Sequence, residues 1–184
     1  MATAEGMVSE GFRRGVRLGV DVGTVRVGVA VCDADGILPT PLKTLARDPK
    51  RNSDIKVLVR EVLERGAVEV YVGLPRTLAG GETASAALAR GVAELLADRL
   101  ADAGAGCEVR LVDERFSTVE AHRTLHAAGL DSREHRRVVD QVAAVGILQH
   151  ALDLLRGRGE AGTAVMARSP RNGEIRGDDS DMRG

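Results

Sequence analysis

Three acidic positions in this 184-residue chain have the residue types and spacing to do metal chemistry. Asp21 lies near the end of an alternating run, residues 16–22, on the face it shares with Gly19, and Gly23 follows it. Glycines beside a carboxylate leave the backbone open to a ligand. Asp140 opens a helical stripe in which Ala143, Ala144, Ile147, Leu148 and Ala151 follow at helical spacing, so its carboxylate shares the side that faces the core. A charged carboxylate buried there needs a cation, a dense set of hydrogen bonds or a raised pKa. Asp113 and Glu114 stand at the carboxyl end of another extended run, residues 107–112.

Ligands of open α/β sheets gather outside the carboxyl ends of the strands, where Asp21, Glu114 and the start of the Asp140 helix would converge. Converging carboxylates repel one another, and a divalent cation relieves the repulsion. An oxygen-only donor set, with neither Cys nor His at ligand spacing, favours Mg²⁺ or Mn²⁺ over zinc. The chemistry that follows is attack of a metal-activated water on a phosphodiester, with a second ion stabilising the leaving oxygen. Plainer alternatives are that Asp21 begins a turn and that Asp140 caps or complements a helix terminus.

Arg26 follows Asp21 and Arg115 follows Glu114, placing positive charge where a phosphate backbone would lie. Each would otherwise pair with a nearby acid. The cluster Arg133, His135, Arg136 and Arg137, just before Asp140, is a second candidate clamp, or else a solvated charged link. Phe12, Tyr71 and Phe116 are the whole aromatic supply, too little for base stacking to dominate, so recognition is expected to read backbone and shape.

The elements that must position these groups are legible in the apolar spacing. Residues 16–22 and 27–32, linked by 23–26, form a hairpin. A third extended run, 37–45, contains Pro39 and Pro41 and is expected at an edge. A helix over 54–65 is ended by Gly66, a strand covers 68–74, and a second helix carries the stripe Leu88, Val92, Leu95, Leu96 and Leu100. The strand at 107–112 follows, then helices over 118–128 and 138–155 separated by a charged link, 129–137. The order βββαβαβαα predicts an α/β fold: a five-stranded mixed sheet, three antiparallel strands then parallel crossovers, with helices on both faces.

Length and 43% hydrophobic content suit one core. The expected division is a flexible segment at 1–15, one domain at 16–155 and a disordered polar tail at 156–184. A net charge of -1 and a pI near 6.4 exclude a global basic excess, so a nucleic-acid site has to be local. The positive charge is carried by 23 Arg against 3 Lys, and the Arg fork matches phosphate bidentately. No signal-like segment and no run near 20 apolar residues is seen, and a cytoplasmic protein without a membrane partner is expected. Cys32 and Cys107 are expected to be small buried hydrophobes.

Four motifs in order, Gly19-Val-Asp21-Val-Gly23-Thr-Val-Arg26-Val-Gly28, Gly73-Leu74-Pro75, Asp113-Glu114-Arg115-Phe-Ser117-Thr118, and Asp140 with Ala143 and Ala144, resemble the YqgF family, also called RuvX. The resemblance spans about residues 16–155. It implies a ribonuclease H-like fold and a metal-dependent nuclease that matures the 5′ end of pre-16S ribosomal RNA, with a four-way DNA junction as the alternative substrate. The acidic motif positions carry over to Asp21, Glu114 and Asp140. The end of the fourth strand, Gly73-Leu74-Pro75, offers no carboxylate where many ribonuclease H-like nucleases have one. The second acid must then come from the fifth strand, with Glu114 favoured and Asp113 still open. Where many family members have lysines before the last helix, this chain has His135, Arg136 and Arg137. Two other functions fit parts of the pattern: an actin-like nucleotide-binding domain, from Asp21-Val-Gly23-Thr24, and a non-catalytic module binding RNA or the ribosome. A two-fold homodimer would suit action on two symmetric strands.

Overall fold

The computed structural model describes residues 12–76, 81–114 and 132–168, with residues 132–136 described by backbone alone. The expected helix over 118–128, with Arg115 before it, lies outside the described residues. The elements run β1 (Arg17–Val22), β2 (Arg26–Cys32), β3 (Thr40–Ala46), α1 (Ser53–Arg65), β4 (Glu69–Leu74), α2 (Ala84–Asp102), β5 (Glu108–Asp113), α3 (Ser132–Arg158) and β6 (Thr163–Val165). The strands form one sheet in the order β3-β2-β1-β4-β5-β6. β1, β4 and β5 run parallel, while β2, β3 and β6 pair antiparallel with their neighbours. The strand β3, which carries Pro41, is an edge, where its missing N–H donor is tolerated.

Strand alternation assigns each side chain to one of two cores. Leu18, Val20, Val27, Val29, Val70, Val72, Val109 and Leu111 face α1 and α2. Ala30, Cys32, Tyr71 and Val112 face α3, which supplies Ala144, Ile147, Leu148, Ala151 and Leu152. The sheet is therefore buried on both faces. α1 ends where Gly66 adopts a left-handed conformation, φ 59°, and closes the last turn through its N–H. α2 begins at Thr83, whose side chain accepts a hydrogen bond from the Ala86 N–H.

The structure departs from the sequence expectation in four places. Among the described residues the sheet has six strands rather than five, because residues 163–165 add β6 to the edge of β5. The segment from 156 is thus no free tail over its first part: Ala161 is buried, and Arg168 pairs with Glu94 and donates its backbone N–H to Asp98. Its short Ala-Gly-Thr-Ala-Val-Met-Ala run holds enough apolar surface to join the core, which the surrounding Gly and Arg conceal. The N-terminal segment expected to be flexible through residue 15 is tied down from Phe12, whose ring lies 4.7 Å from the Arg17 guanidinium, and Gly15 donates to the Ala34 carbonyl. The last helix starts at Ser132 rather than 138, so the charged residues 133–137 form its first turns instead of a link. This helix is long and apolar enough over Arg137–Arg158 to cross a membrane by composition, but its apolar side is spent against the sheet.

At Gly19 α3 approaches the sheet with no sheet side chain between. A β-carbon at Gly19 would lie 2.6 Å from the Ala144 carbonyl oxygen and 2.7 Å from Leu148 Cβ. The contact is backbone to backbone, so a methyl group there has nowhere to go. Gly19→Ala is expected to lower stability by about 1–3 kcal/mol in urea unfolding, the usual range for overpacking a core.

Candidate metal centre

The three acids come from three elements and meet on the α3 face of the sheet, at the carboxyl ends of the parallel strands. On β1, Asp21 follows Gly19 on that face and stands opposite Gly28 of β2. On β5, Val112 belongs to the α3 core and Leu111 to the other, so alternation sends Glu114 to the α3 face and Asp113 to the opposite one. The Glu114 N–H, bonded to the Leu74 carbonyl at 3.2 Å, keeps the register one residue past the strand. Asp113 is instead half exposed and pairs with Arg76 at 2.9 Å. Glu114 thus lies on the same face as Asp21, and Asp113 on the opposite one.

Asp140 reaches the site because β2 offers no side chain at Gly28. A β-carbon at Gly28 would collide with the Asp140 carbonyl, and its own Cβ would be 3.1 Å away. Since α3 begins eight residues earlier, Asp140 lies in the third turn, beyond the unpaired N–H groups of a helix start. Capping therefore does not account for it. Thr44 of β3 ties down this part of the helix by donating to the Arg137 carbonyl at 3.4 Å and accepting from Gln141 Nε2 at 3.2 Å.

Gly73 of β4 plays the same part for Glu114. A β-carbon there would overlap Glu114 Oε1, so the carboxylate lies directly over the glycine backbone, with Ile147 Cδ1 beside it. The position without a carboxylate on the fourth strand is thus the floor of the site. Glu114 Oε1 is buried and has no hydrogen-bond partner among the described residues, an expensive state for a carboxylate oxygen unless a cation or proton satisfies it.

Burial pushes the Asp21 carboxyl up to about 6, and the negative charge of Asp140 adds to the shift. Burial likewise pushes Glu114 up to about 7, with the charge of Asp21 adding. The three acids thus sense one another in sequence, Glu114 through Asp21 to Asp140. Asp140 is held by Arg26, whose Nε donates to Oδ2 at 2.7 Å; the two side chains are 29% and 20% exposed.

An oxygen-only donor set with an orphaned buried carboxylate oxygen suits a hard divalent cation. Yet among the described residues no three acidic, histidine or cysteine side chains stand in an arrangement that holds a metal ion. Of the three acids, Asp140 is engaged by Arg26. Beside the acids, a cavity of about 800 Å³ lies between the ends of β4 and β5 and the latter half of α3, lined in part by Leu74, Val112, His150, Arg76, Arg90 and Arg158. None of the three acids lines it, so it adjoins the centre rather than containing it.

Of the cations named from sequence, the structure brings Arg26 to the acids. Arg137 is exposed on α3, Arg136 is described by backbone alone, and Arg115 lies outside the described residues. Missed in the sequence were the roles of Gly28 and Gly73 as seats for Asp140 and Glu114, and of Thr44 and Gln141 as ties to α3. Gly28 closes the first motif and Gly73 opens the second, a signal that was present but not read as close packing.

A family model described as RuvX: Holliday junction resolvase matches residues 15–154. A protein of Mycolicibacterium smegmatis is 54% identical over 142 residues, 76% of this chain and 81% of its own. One from Frankia casuarinae is 52% identical over 158 residues, 84% of this chain and 76% of its own. One from Mycobacteroides abscessus is 50% identical over 149 residues, 81% and 87%. Each bears the provisional name pre-16S rRNA nuclease. A solved structure of T. thermophilus RuvC in complex with Holliday junction substrate matches with a TM-score of 0.53 and 19% identity, over 80% of this chain and 99% of that one, a likeness of fold.

The raised carboxyl groups fix the sign of a stability change. Both fold with their neutral forms favoured, so their contribution is fully present below the ordinary carboxyl range and is lost as pH rises through about 6 and about 7. Metal-free protein is expected to melt higher at pH 5 than at pH 8. Asp21→Asn is expected to raise stability at pH 8 by roughly 1–3 kcal/mol and to flatten the dependence. A melting temperature that rises from pH 5 to pH 8 would contradict the arrangement.

Proposed function

This chain belongs to the RuvX family, described as Holliday junction resolvase, and from that premise we propose that it is a metal-dependent nuclease. It hydrolyses phosphodiester bonds of a nucleic acid, with the 5′ end of pre-16S rRNA as its substrate in the cytoplasm. The observation that carries the reading is the gathering of Asp21, Glu114 and Asp140 on one face at the carboxyl ends of β1, β4 and β5, two of them strongly desolvated.

Asp21 and Glu114, with Asp140, would hold Mg²⁺ or Mn²⁺. When bound, the ion supplies a nucleophilic water at neutral pH and charge stabilisation at the phosphoryl oxygens. The chain's own residues do the rest. Gly28 and Gly73 keep the floor low so that backbone phosphate can approach, and burial on the α3 side limits the water around the acids. Arg26, and the exposed Arg137 with Arg136 and Arg115, would bind the strand through its phosphates. The net charge of -1 fits a partner engaged locally. The names borne by the relatives favour the ribosomal RNA precursor, and the family description keeps a four-way DNA junction as the second substrate to be tested.

The test is cleavage of a 16S-precursor 5′ RNA and a four-way DNA junction in parallel, with and without Mg²⁺ or Mn²⁺. Metal-dependent cutting of the RNA is expected. Asp21→Asn, Glu114→Gln and Asp140→Asn should each reduce it by more than the roughly 10- to 100-fold that follows loss of a group that merely orients a metal ligand. Preferred cutting of the junction would shift the substrate assignment. Activity that survives chelation, or survives all three substitutions, would overturn the metal-dependent mechanism.

A further inference from the structure

Arg26 and Gly28 lie two residues apart on β2 and therefore project to the same face. Gly28 seats the backbone of Asp140, and Arg26 reaches its carboxylate with Nε at 2.7 Å from Oδ2. One strand thus fixes both where Asp140 sits and where its carboxylate points. The carboxylate is thus paired with an arginine while its charge still acts on Asp21, and among the described residues the three acids do not form a ligand set.

Resting on the metal-dependent reading above, we propose that Arg26 is the internal counter-ion of the metal-free centre: it holds Asp140, a divalent cation displaces it, and the released guanidinium takes a phosphate of the nucleic-acid backbone. Three acids within electrostatic reach of one another need positive charge nearby, and Arg26 supplies it when no ion does. A guanidinium and a metal ion bind the same carboxylate oxygens and repel each other, so each lowers the affinity for the other. Partial exposure of the pair, 29% and 20%, lets solvent assist the exchange. The arginine fork suits a phosphate as well as it suits Asp140. By linkage, a strand that draws Arg26 away leaves Asp140 free and tightens metal binding, so metal and substrate load together.

The experiment is titration of Mn²⁺ into metal-free protein, followed by calorimetry, for the natural chain, Arg26→Gln and Arg26→Lys. Loss of a competing charge-assisted bond should tighten Mn²⁺ binding by about tenfold in Arg26→Gln, while Arg26→Lys, which keeps the charge, stays near the natural value. Arg26→Gln binding Mn²⁺ equally or more weakly would overturn the proposal and make Arg26 an orienting group for Asp140. A second measurement needs no variant: the Arg26 Nε–H resonance of the natural chain should move toward those of exposed arginines at saturating Mg²⁺, and a resonance that stays in place would overturn the proposal. Tighter Mn²⁺ binding in Arg26→Gln, with no cleavage of any nucleic acid by the natural chain, would contradict the nuclease reading while leaving the counter-ion role standing.

Discussion

The distance between α3 and the first two strands governs the rest of the structure. At Gly19 and Gly28 the helix backbone rests on the sheet backbone with no side chain between them. That contact sets the height of α3, and with it the position of Asp140 over β2. Raise the helix by the thickness of a methyl group and Asp140 loses its place beside Asp21, Leu148 and Ala151 lose their packing, and the acids from different elements part. The fold and the site therefore depend on the same two glycines.

The cost of such a site falls on its carboxylates. Asp21 and Glu114 lie at the carboxyl ends of a buried sheet, where burial raises the affinity of both for a proton, with the charge of Asp140 adding at Asp21 and that of Asp21 adding at Glu114. Folding alone does not favour this arrangement; apolar residues of similar size would pack without the repulsion. A cluster that weakens the metal-free protein and gains from a cation has the character of a functional site. Elsewhere the buried charges are paired in the ordinary way: Arg17 bonds Glu69 at 2.6 Å, and Arg47 pairs with Asp54. Asp54 Oδ1 and Glu114 Oε1 both lack a hydrogen-bond partner among the described residues, but Asp54 keeps an ion pair through its other oxygen, and no described cation pairs with Glu114.

Much of this was legible in the chain because the signals are periodic. Alternation around Asp21 and the helical stripe from Asp140 identify the faces that meet, and Pro41 of β3 marks an edge. What escaped the sequence depends on contacts between distant segments. The start of α3 at Ser132 was hidden by Arg133, Arg136 and Arg137, which resemble a polar link until a partner sheet favours helix. β6 is only three residues long and carries little apolar signal of its own; pairing with β5 makes it a strand. Placing Glu114 on the face of Asp21, and Asp113 on the other, needed the register of β5 against β4. No local pattern could place Arg26 on Asp140, 114 residues away.

The central claim is that Asp21, Glu114 and Asp140 together hold a divalent cation, and anomalous diffraction from crystals grown with Mn²⁺ tests it most directly. The account predicts a Mn²⁺ peak bonded by Asp21 and Glu114, with Asp140 swung from Arg26 to join them. A peak bound elsewhere, or no ion among these carboxylates at saturating Mn²⁺, would contradict it.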